Sequence, residues 1–270
     1  MIIGKSKKDL EKMRAAGRLA AQVREALRGM ARPGVTTLEL DAAAERMIRD
    51  GGALPTFKGY HKYPYSICAS VNEQVVHGFP SNYALRDGDI LSVDVGATLN
   101  GWVGDTATTI PVGDVAESWL TLIRVTEECL ERAIRQCWPG KHLGDIGWAV
   151  QEHAERHGYT VVREYVGHGI GRKMHEDPQV PNYGKPGTGA KLRAGYVFAI
   201  EPMVNMGTEK TKTLKDGWTV VTLDGRPSAH VEHTVAITED GPEVLTRVGE
   251  AGAGSVESGA GAEAAAVSKV

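Results

Sequence analysis

The sequence predicts a duplicated α+β unit folded into one domain, with sheets joined at a pseudo-two-fold axis and helices packed outside. Three observations predict it. The same order of elements comes twice: helix, Pro-Gly, helix, Gly, then strands. Two landmarks recur at nearly one offset: Pro33-Gly34 against Pro139-Gly140, 106 residues on, and Arg86-x-Gly-x-Ile against Arg193-x-Gly-x-Val, 107 residues on. Glycine is abundant, at 33 of 270 residues, as many short strands joined by tight turns require. The units run over about 8–112 and 115–246, inside a single domain of residues 1–248. Under the second offset Asp94 falls on Glu201.

The elements follow from local pattern. Leu10, Met13, Ala20, Val23, Leu27 and Met30 recur at helical spacing, and Arg32-Pro33-Gly34 stops that helix. Thr36 or Thr37 caps a second helix bearing Leu40, Ala43 and Met47, which ends at Gly51-Gly52. Strands are expected over Ser66–Val71, Gln74–Pro80, Arg86–Gly96 (turn, then strand) and Gly104–Val112. A third helix carries Leu120, Ile123, Leu130, Ile134 and Cys137 as far as Trp138-Pro139-Gly140. A fourth carries Ile146, Ala149, Val150 and His153 as far as His157-Gly158. Strand-like runs return at Tyr159–Val162, Tyr196–Val204, Trp218–Leu223 and His230–Ile237. The tail, 249–270, is Gly, Ala, Ser and Glu with nothing large to bury, so disorder is expected there, with a short helix over Ala260–Val267 as the alternative.

Composition narrows the function. A net charge of −3 gives no global attraction to nucleic acid or to an acidic membrane, so neither DNA nor membrane is an expected partner. The start has no apolar core of signal-peptide type, and no run of about 18 apolar residues offers a membrane span. Cys68, Cys129 and Cys137 are too few and odd in number for a disulfide framework; a reducing, cytoplasmic compartment is expected. Cys129 and Cys137 read as core, with no catalytic motif around them.

Four acids stand in apolar surroundings. Asp94 lies within ILSVDVG, Glu201 within FAIEPMV, Glu232 within HVEHTVAI, and Asp105 opens a β-rich run after Gly104. A single buried carboxylate is commonly a hydrogen-bonded structural group. Four need a shared positive partner, since each unpaired buried charge costs several kcal/mol. No Lys or Arg lies inside these strands, whereas divalent cations fit: four carboxylates balance two such ions. His168, in the stretch VREYVGHGIGRKMHEDPQ (Val162–Gln179), adds one neutral nitrogen ligand, and Gly167 and Gly169 on either side permit close approach to its imidazole. His175 lies seven residues on. The plain alternative is a Gly-rich turn with two solvated histidines. Two ions sharing carboxylates form a known hydrolytic device that activates water and stabilises an oxyanion, and nearby histidines can donate hydrogen bonds to substrate.

The motifs VNEQVVHGFP, DVGATLNGWVGDTAT, YVGHGIGRKMHEDPQV, IEPMVN, KDGWTV and VEHTVAIT resemble, in order and spacing, the type I methionine aminopeptidases in their short bacterial form. The resemblance spans about Lys8 to Thr246. It implies the pita-bread fold and co-translational removal of the initiator methionine from nascent chains whose second residue is small. It implies two divalent ions (Co, Mn, Fe or Zn) on Asp94, Asp105, His168, Glu201 and Glu232. It also implies that His77 and His175 orient the peptide and stabilise the tetrahedral intermediate, that Glu201 shuttles the proton, and that Tyr60, Tyr63, Cys68 and Trp218 line the methionine pocket with His77 at its edge. Phe57 and Met174 depart from the common pattern, which leaves the pocket's shape open. His61, His230 and His233 are expected to stand behind the ligands, and His142, His153 and His157 to be solvated.

Two other readings compete. A proline-specific peptidase of the same fold normally carries a large extra N-terminal domain, and here the first helix begins almost at once. A non-catalytic relative loses metal ligands, and all five are present. The chain is expected to act as a monomer and to visit the ribosome transiently; Lys210, Lys212 and Lys215, with Arg226 in the following loop, form the candidate contact beside Trp218.

Overall fold

A computed structural model describes residues 1–248; the tail expected to be disordered, 249–270, lies outside the described residues. Two helices open the chain, α1 (Lys7–Met30) and α2 (Thr37–Asp50), and five strands follow: β1 (Leu54–Pro55), β2 (Ile67–Val71), β3 (Gln74–Val76), β4 (Ile90–Leu99) and β5 (Trp102–Pro111). A second helix pair, α3 (Glu117–Ile134) and α4 (Leu143–Arg156), precedes β6 (Thr160–Val161), β7 (Gly167–Gly169), β8 (Glu176–Val180), β9 (Val197–Ile200) and β10 (Met203–Asn205). The chain then runs through β11 (Thr211–Thr213), β12 (Val220–Thr222), β13 (Ser228–His230), β14 (Glu232–Thr238) and β15 (Gly241–Val244).

Local chemistry sets the boundaries. Ser6 and Thr36 cap α1 and α2 in reciprocal boxes: each hydroxyl accepts from the backbone N–H three residues on, and the side chain there, Asp9 or Glu39, accepts from the cap's own N–H. β4 and β5 form a hairpin longer than expected. Asn100 and Gly101, at φ 52° and 75°, make a two-residue turn that pairs Leu99 with Trp102, so β5 starts two residues before Gly104.

β1, β2, β4, β5, β14, β9, β7, β8 and β15 build a nine-stranded sheet; β13-β10-β6 and β11-β12-β3 build two small ones. Two runs expected to be continuous strands are broken. Tyr196–Val204 divides at Glu201-Pro202 into β9 and β10, and His230–Ile237 divides at Val231 into β13 and β14. At both breaks the chain leaves one sheet for another, and the Val231 N–H donates across to the Pro202 carbonyl at 3.3 Å.

Alternation along the nine-stranded sheet sorts its residues onto two faces. Leu91, Val93, Val95 and Ala97 of β4 pack with Val23, Leu27, Leu40 and Ile48 of α1 and α2. Phe198 and Ile200 of β9, with Val235 and Ile237 of β14, pack with Leu122, Val125, Cys129 and Val150 of α3 and α4. Both helix pairs therefore cover one face, each buried Leu, Val or Ile contributing roughly 1.5–3 kcal/mol. Cys129 and Cys137 are core, as expected, and the three cysteines are unpaired. His153, expected to be solvated, is buried, because α4 turns it toward α3.

α1 lies unusually close to β5. A Cβ built on Gly104 falls 2.5 Å from the Gly17 nitrogen and 2.6 Å from its Cα, and both are backbone atoms that cannot step aside. Gly104→Ala is therefore expected to destabilise the fold by about 1–3 kcal/mol, lowering Tm by roughly 2–4 °C per kcal/mol. Thermal and urea denaturation check this, and an unchanged midpoint would show that α1 can move away.

Candidate active site

Strand register gathers the candidate residues on the face away from the helices. Directly paired residues share a face. Cys68 of β2 pairs with Asp94 of β4, Asp94 with Ala107 of β5, and Ala107 with Glu232 of β14. Ala107 is small, so the carboxylates on either side reach the space above it. Asp105 lies two residues from Ala107 and pairs with Gly96. His168 of β7 pairs with Ala199 of β9, and Ala199 with Thr234 of β14. Glu201, two residues beyond Ala199, keeps the same side as β9 ends.

The side chains converge on a cavity of about 370 Å³ lined by Asp94, Asp105, His168, Glu201 and Glu232 on one wall. Tyr60, Tyr63, Cys68, Trp218, Phe57 and Met174 line the rest, with His77, His175 and His61. All the residues singled out in the sequence as ligands, peptide-orienting histidines or pocket walls are thus brought together. His168 Nε2 lies 3.7 Å from Asp105 Oδ2 and 3.6 Å from Glu201 Oε1, and His230 Nε2 lies 3.7 Å from Glu201 Oε2. These separations are too long for hydrogen bonds. The His168 Nδ1–H donates to the Gly169 carbonyl at 2.9 Å, which leaves the Nε2 lone pair facing carboxylate oxygens. Asp94 Oδ1, Asp105 Oδ1, Glu232 Oε1 and His230 Nε2 are buried with no hydrogen-bond partner among the described residues. An imidazole lone pair aimed at carboxylates, among orphaned carboxylate oxygens, is a donor set that fits divalent cations.

Electrostatics agree. Burial, then mutual repulsion, pushes the Asp94, Glu201 and Glu232 carboxyls far above the ordinary carboxylate range; burial pushes Asp105 up to about 7. Burial draws His168 down to about 3 and His77 down to about 4, and lowers His175 as well, so His168 and His77 are neutral near pH 7. A cationic side chain does come near: Arg24 of α1 is buried on the helix side, but its guanidinium is taken by Glu25 and by the Thr106 hydroxyl.

The other histidines occupy distinct places. His175 Nδ1 is 2.7 Å from the Tyr60 hydroxyl, and its ring centroid is 4.2 Å from that of His168. His77 sits at φ 60°, an uncommon conformation for a side-chain-bearing residue, with its ring edge-on to Tyr165 and Trp218. His230 stands behind Glu201, as expected, and His233 lies on the helix-facing side, where Nδ1 meets the Thr246 hydroxyl at 2.9 Å. His61, read as standing behind the ligands, lines the cavity itself. Phe57 forms part of the wall because Gly96 leaves room: a Cβ there would come within 2.5 Å of the ring. Asp41 went unnoticed in the sequence. It is buried on α2, and its Oδ1 accepts from the Ser66 and Ile67 N–H groups, fixing the start of β2 and hence Cys68. Its place among Leu40, Ala43 and Ala44 on the apolar face was the available signal.

The model for metallopeptidase family M24 matches residues 11–239. The chain is 52% identical to methionine aminopeptidase 1 of Bacillus subtilis over 92% of its own length and all of that protein's, and 48% identical to methionine aminopeptidase 1 of Mycobacterium tuberculosis over 88% and 92%. The crystal structure of methionine aminopeptidase from Thermotoga maritima superposes with a TM-score of 0.91 at 47% identity, covering 92% of this chain and 100% of that one. The prolidase from Pyrococcus horikoshii shares the fold, with a TM-score of 0.73 at 23% identity, and the chain spans 64% of its length.

Protons and cations compete for this donor set. With Asp105 at about 7 and the other three carboxyls also raised, the metal-free site holds protons at pH 6 that a cation must displace. Affinity is therefore expected to rise with pH up to and just beyond 7, by about tenfold per unit for each proton released. Calorimetric titration of metal-free protein with Mn²⁺ at pH 6, 7 and 8, in buffers of different ionisation heat, reads both quantities. A flat affinity with no proton release would contradict this electrostatic picture.

Proposed function

Because this chain belongs to metallopeptidase family M24, we infer that the cavity is the site at which it removes the N-terminal methionine from polypeptides. It is a metallo-aminopeptidase, a hydrolase. The observation that carries the reading is the orphaned set of carboxylate oxygens around the His168 lone pair, at the end of a pocket with thiol and aromatic walls. Two divalent cations, held by Asp94, Asp105, His168, Glu201 and Glu232, would supply Lewis acidity and a water of lowered pKa.

The chain's own residues do the rest. The methionine side chain enters between Cys68, Tyr63 and Trp218, where a flexible thioether suits soft and aromatic contacts. Tyr63 is fixed for this by donating its hydroxyl proton to the Ile67 and Gly78 carbonyls, and its ring stands edge-on to Trp218. His77 and His175 reach the scissile carbonyl as hydrogen-bond donors and stabilise the oxyanion as water adds to the carbon. Tyr60 sets the His175 ring by its bond to Nδ1. Glu201, at the break between β9 and β10, takes the proton from the attacking water and passes it to the leaving amine. The second residue of the substrate must pass between His77 and His175, which favours small side chains.

The assay is turnover of Met-Gly-type, Met-Lys and Xaa-Pro peptides with each divalent metal added back. Met-Gly cleavage is expected, with Met-Lys slower by at least about a hundredfold, roughly 2.7 kcal/mol in the barrier, and no Xaa-Pro cleavage. Asp94→Ala and Glu232→Ala should abolish turnover, while Glu152→Ala, which removes an exposed pair with Arg156 on α4, should change little. Near-normal activity of Glu232→Ala in excess metal would sink the two-metal reading.

The proposed setting is the cytoplasm, on nascent chains, as a monomer folded in one domain over residues 1–248. The three unpaired, buried cysteines support a reducing compartment. No helix of the described residues is long and apolar enough to cross a membrane. For transient ribosome contact the candidate is the exposed set Lys210, just before β11, Lys212 on β11 and Lys215 in the turn leading to Trp218 at the cavity, with Arg226 exposed in the turn after β12. Phosphate contacts release counterions, so binding should weaken with salt. Co-sedimentation with ribosomes at low and moderate salt, for wild type and a Lys210/Lys212/Lys215→Ala variant, is expected to show loss in the variant with peptide activity intact. Equal binding would remove the patch as the docking surface.

A further inference from the structure

A second group of metal-competent donors converges on the outer helices: Glu128 of α3 with His153 of α4 and His157 at its C-cap, one donor atom from each lying within 4.8 Å of the others. The two histidines are four residues apart, one in the last turn of α4 and one capping it, and their ring centroids lie 4.5 Å apart on the same side. Glu128 Oε2 comes from the neighbouring helix to 2.7 Å from His153 Nε2. The level is fixed by core packing, since the Sγ of the adjacent Cys129 lies 3.5 Å from the Val150 carbonyl on α4.

The surroundings orient these donors. His157 Nδ1 lies 2.9 Å from the His153 carbonyl, so that nitrogen carries the proton and the Nε2 lone pair is left outward. His153 is buried, and its Nδ1 has no partner. Among the described residues its only side-chain hydrogen bond is the one to Glu128, which coordination would replace. Glu128 has a competitor, as Arg124 bonds Oε1 at 3.0 Å, but that leaves Oε2 for a second partner. His157 is exposed, so an ion can enter from solvent.

We propose that Glu128, His153 and His157 form a binding site for a divalent cation of zinc type, separate from the cavity, that pins α3 to α4. Two imidazoles and one carboxylate suit zinc, with water completing the shell. Donor atoms about 2.0–2.2 Å from a common ion lie some 3–4 Å apart, and the exposed His157 ring can swing to close the small difference. The site does not depend on what the cavity catalyses.

The test uses the full chain, stripped of metal and dialysed against buffered zinc, with bound zinc counted per chain. Wild type should bind one ion more than His157→Ala, a surface change expected to leave methionyl-peptide turnover intact. The same difference of one ion should separate Glu232→Ala from Glu232→Ala/His157→Ala, so a failure of the cavity reading cannot mask the result. Saturating zinc should also raise the Tm of Glu232→Ala more than that of the double variant. Equal zinc content within both pairs would overturn the proposal.

Discussion

The rest of the structure depends on four carboxylates held together out of water without a protein cation among them. Each raises the others' proton affinity, and each costs several kcal/mol while it is unpaired. A fold can hold such a cluster only if its stability comes from elsewhere. Here it comes from the other face of the same sheet, where alternate residues of β4, β9 and β14 bury themselves under four helices. The period of two along a strand divides the labour: odd positions of β4 stabilise, and Asp94 and its neighbours of the same parity are free to be costly.

The crossings between sheets carry the second constraint. Glu201 and Glu232 stand at the ends of β9 and β14, where the chain passes to or from the small β13-β10-β6 sheet. Pro202 cannot donate to a ladder, and the strand breaks before it, at Glu201. The interruption lets a carboxylate leave the regular row while the Val231–Pro202 bond keeps the two breaks in register. His77 follows β3 with its backbone in the left-handed region, a conformation costing of order 1–3 kcal/mol for a residue with a side chain. Two of the non-glycine residues in that region, His61 and His77, thus stand in the cavity wall.

Much of this was legible in the sequence, for identifiable reasons. The α+β class, the helix caps and the acids in apolar strands are local signals, each readable within a few residues. The hairpin turn at Asn100-Gly101 was local too, yet the apolar alternation from Gly104 drew attention past it. The breaks at Glu201 and Val231 were hidden because both flanks are equally apolar: Val197–Ile200 and Met203–Val204 look alike in sequence although they belong to different sheets. The burial of His153 and the tie from Asp41 to β2 depend on which elements pack together, and nothing within α4 or α2 states that. The four proposed acidic ligands stood out because charge in a buried strand is anomalous wherever the strand ends up, and His168 because glycines flank it on both sides. His61 did not, because its place in the cavity wall comes from a turn of irregular backbone at φ 45°.

The same division of faces explains why a donor cluster on α3 and α4 can coexist with the cavity. The helices α3 and α4 contribute their inner faces to the core, through apolar residues such as Leu122 and Val150. Between them, Glu128 meets His153 and the Cys129 Sγ meets the Val150 carbonyl. A buried imidazole bonded to a half-exposed carboxylate is a weak tie, since water and Arg124 both compete for that carboxylate. Replacing the shared proton by a cation would strengthen the tie between α3 and α4. The cavity needs cations to relieve repulsion between carboxylates. The helical cluster needs none for charge balance, which makes its occupancy a matter of affinity and availability alone.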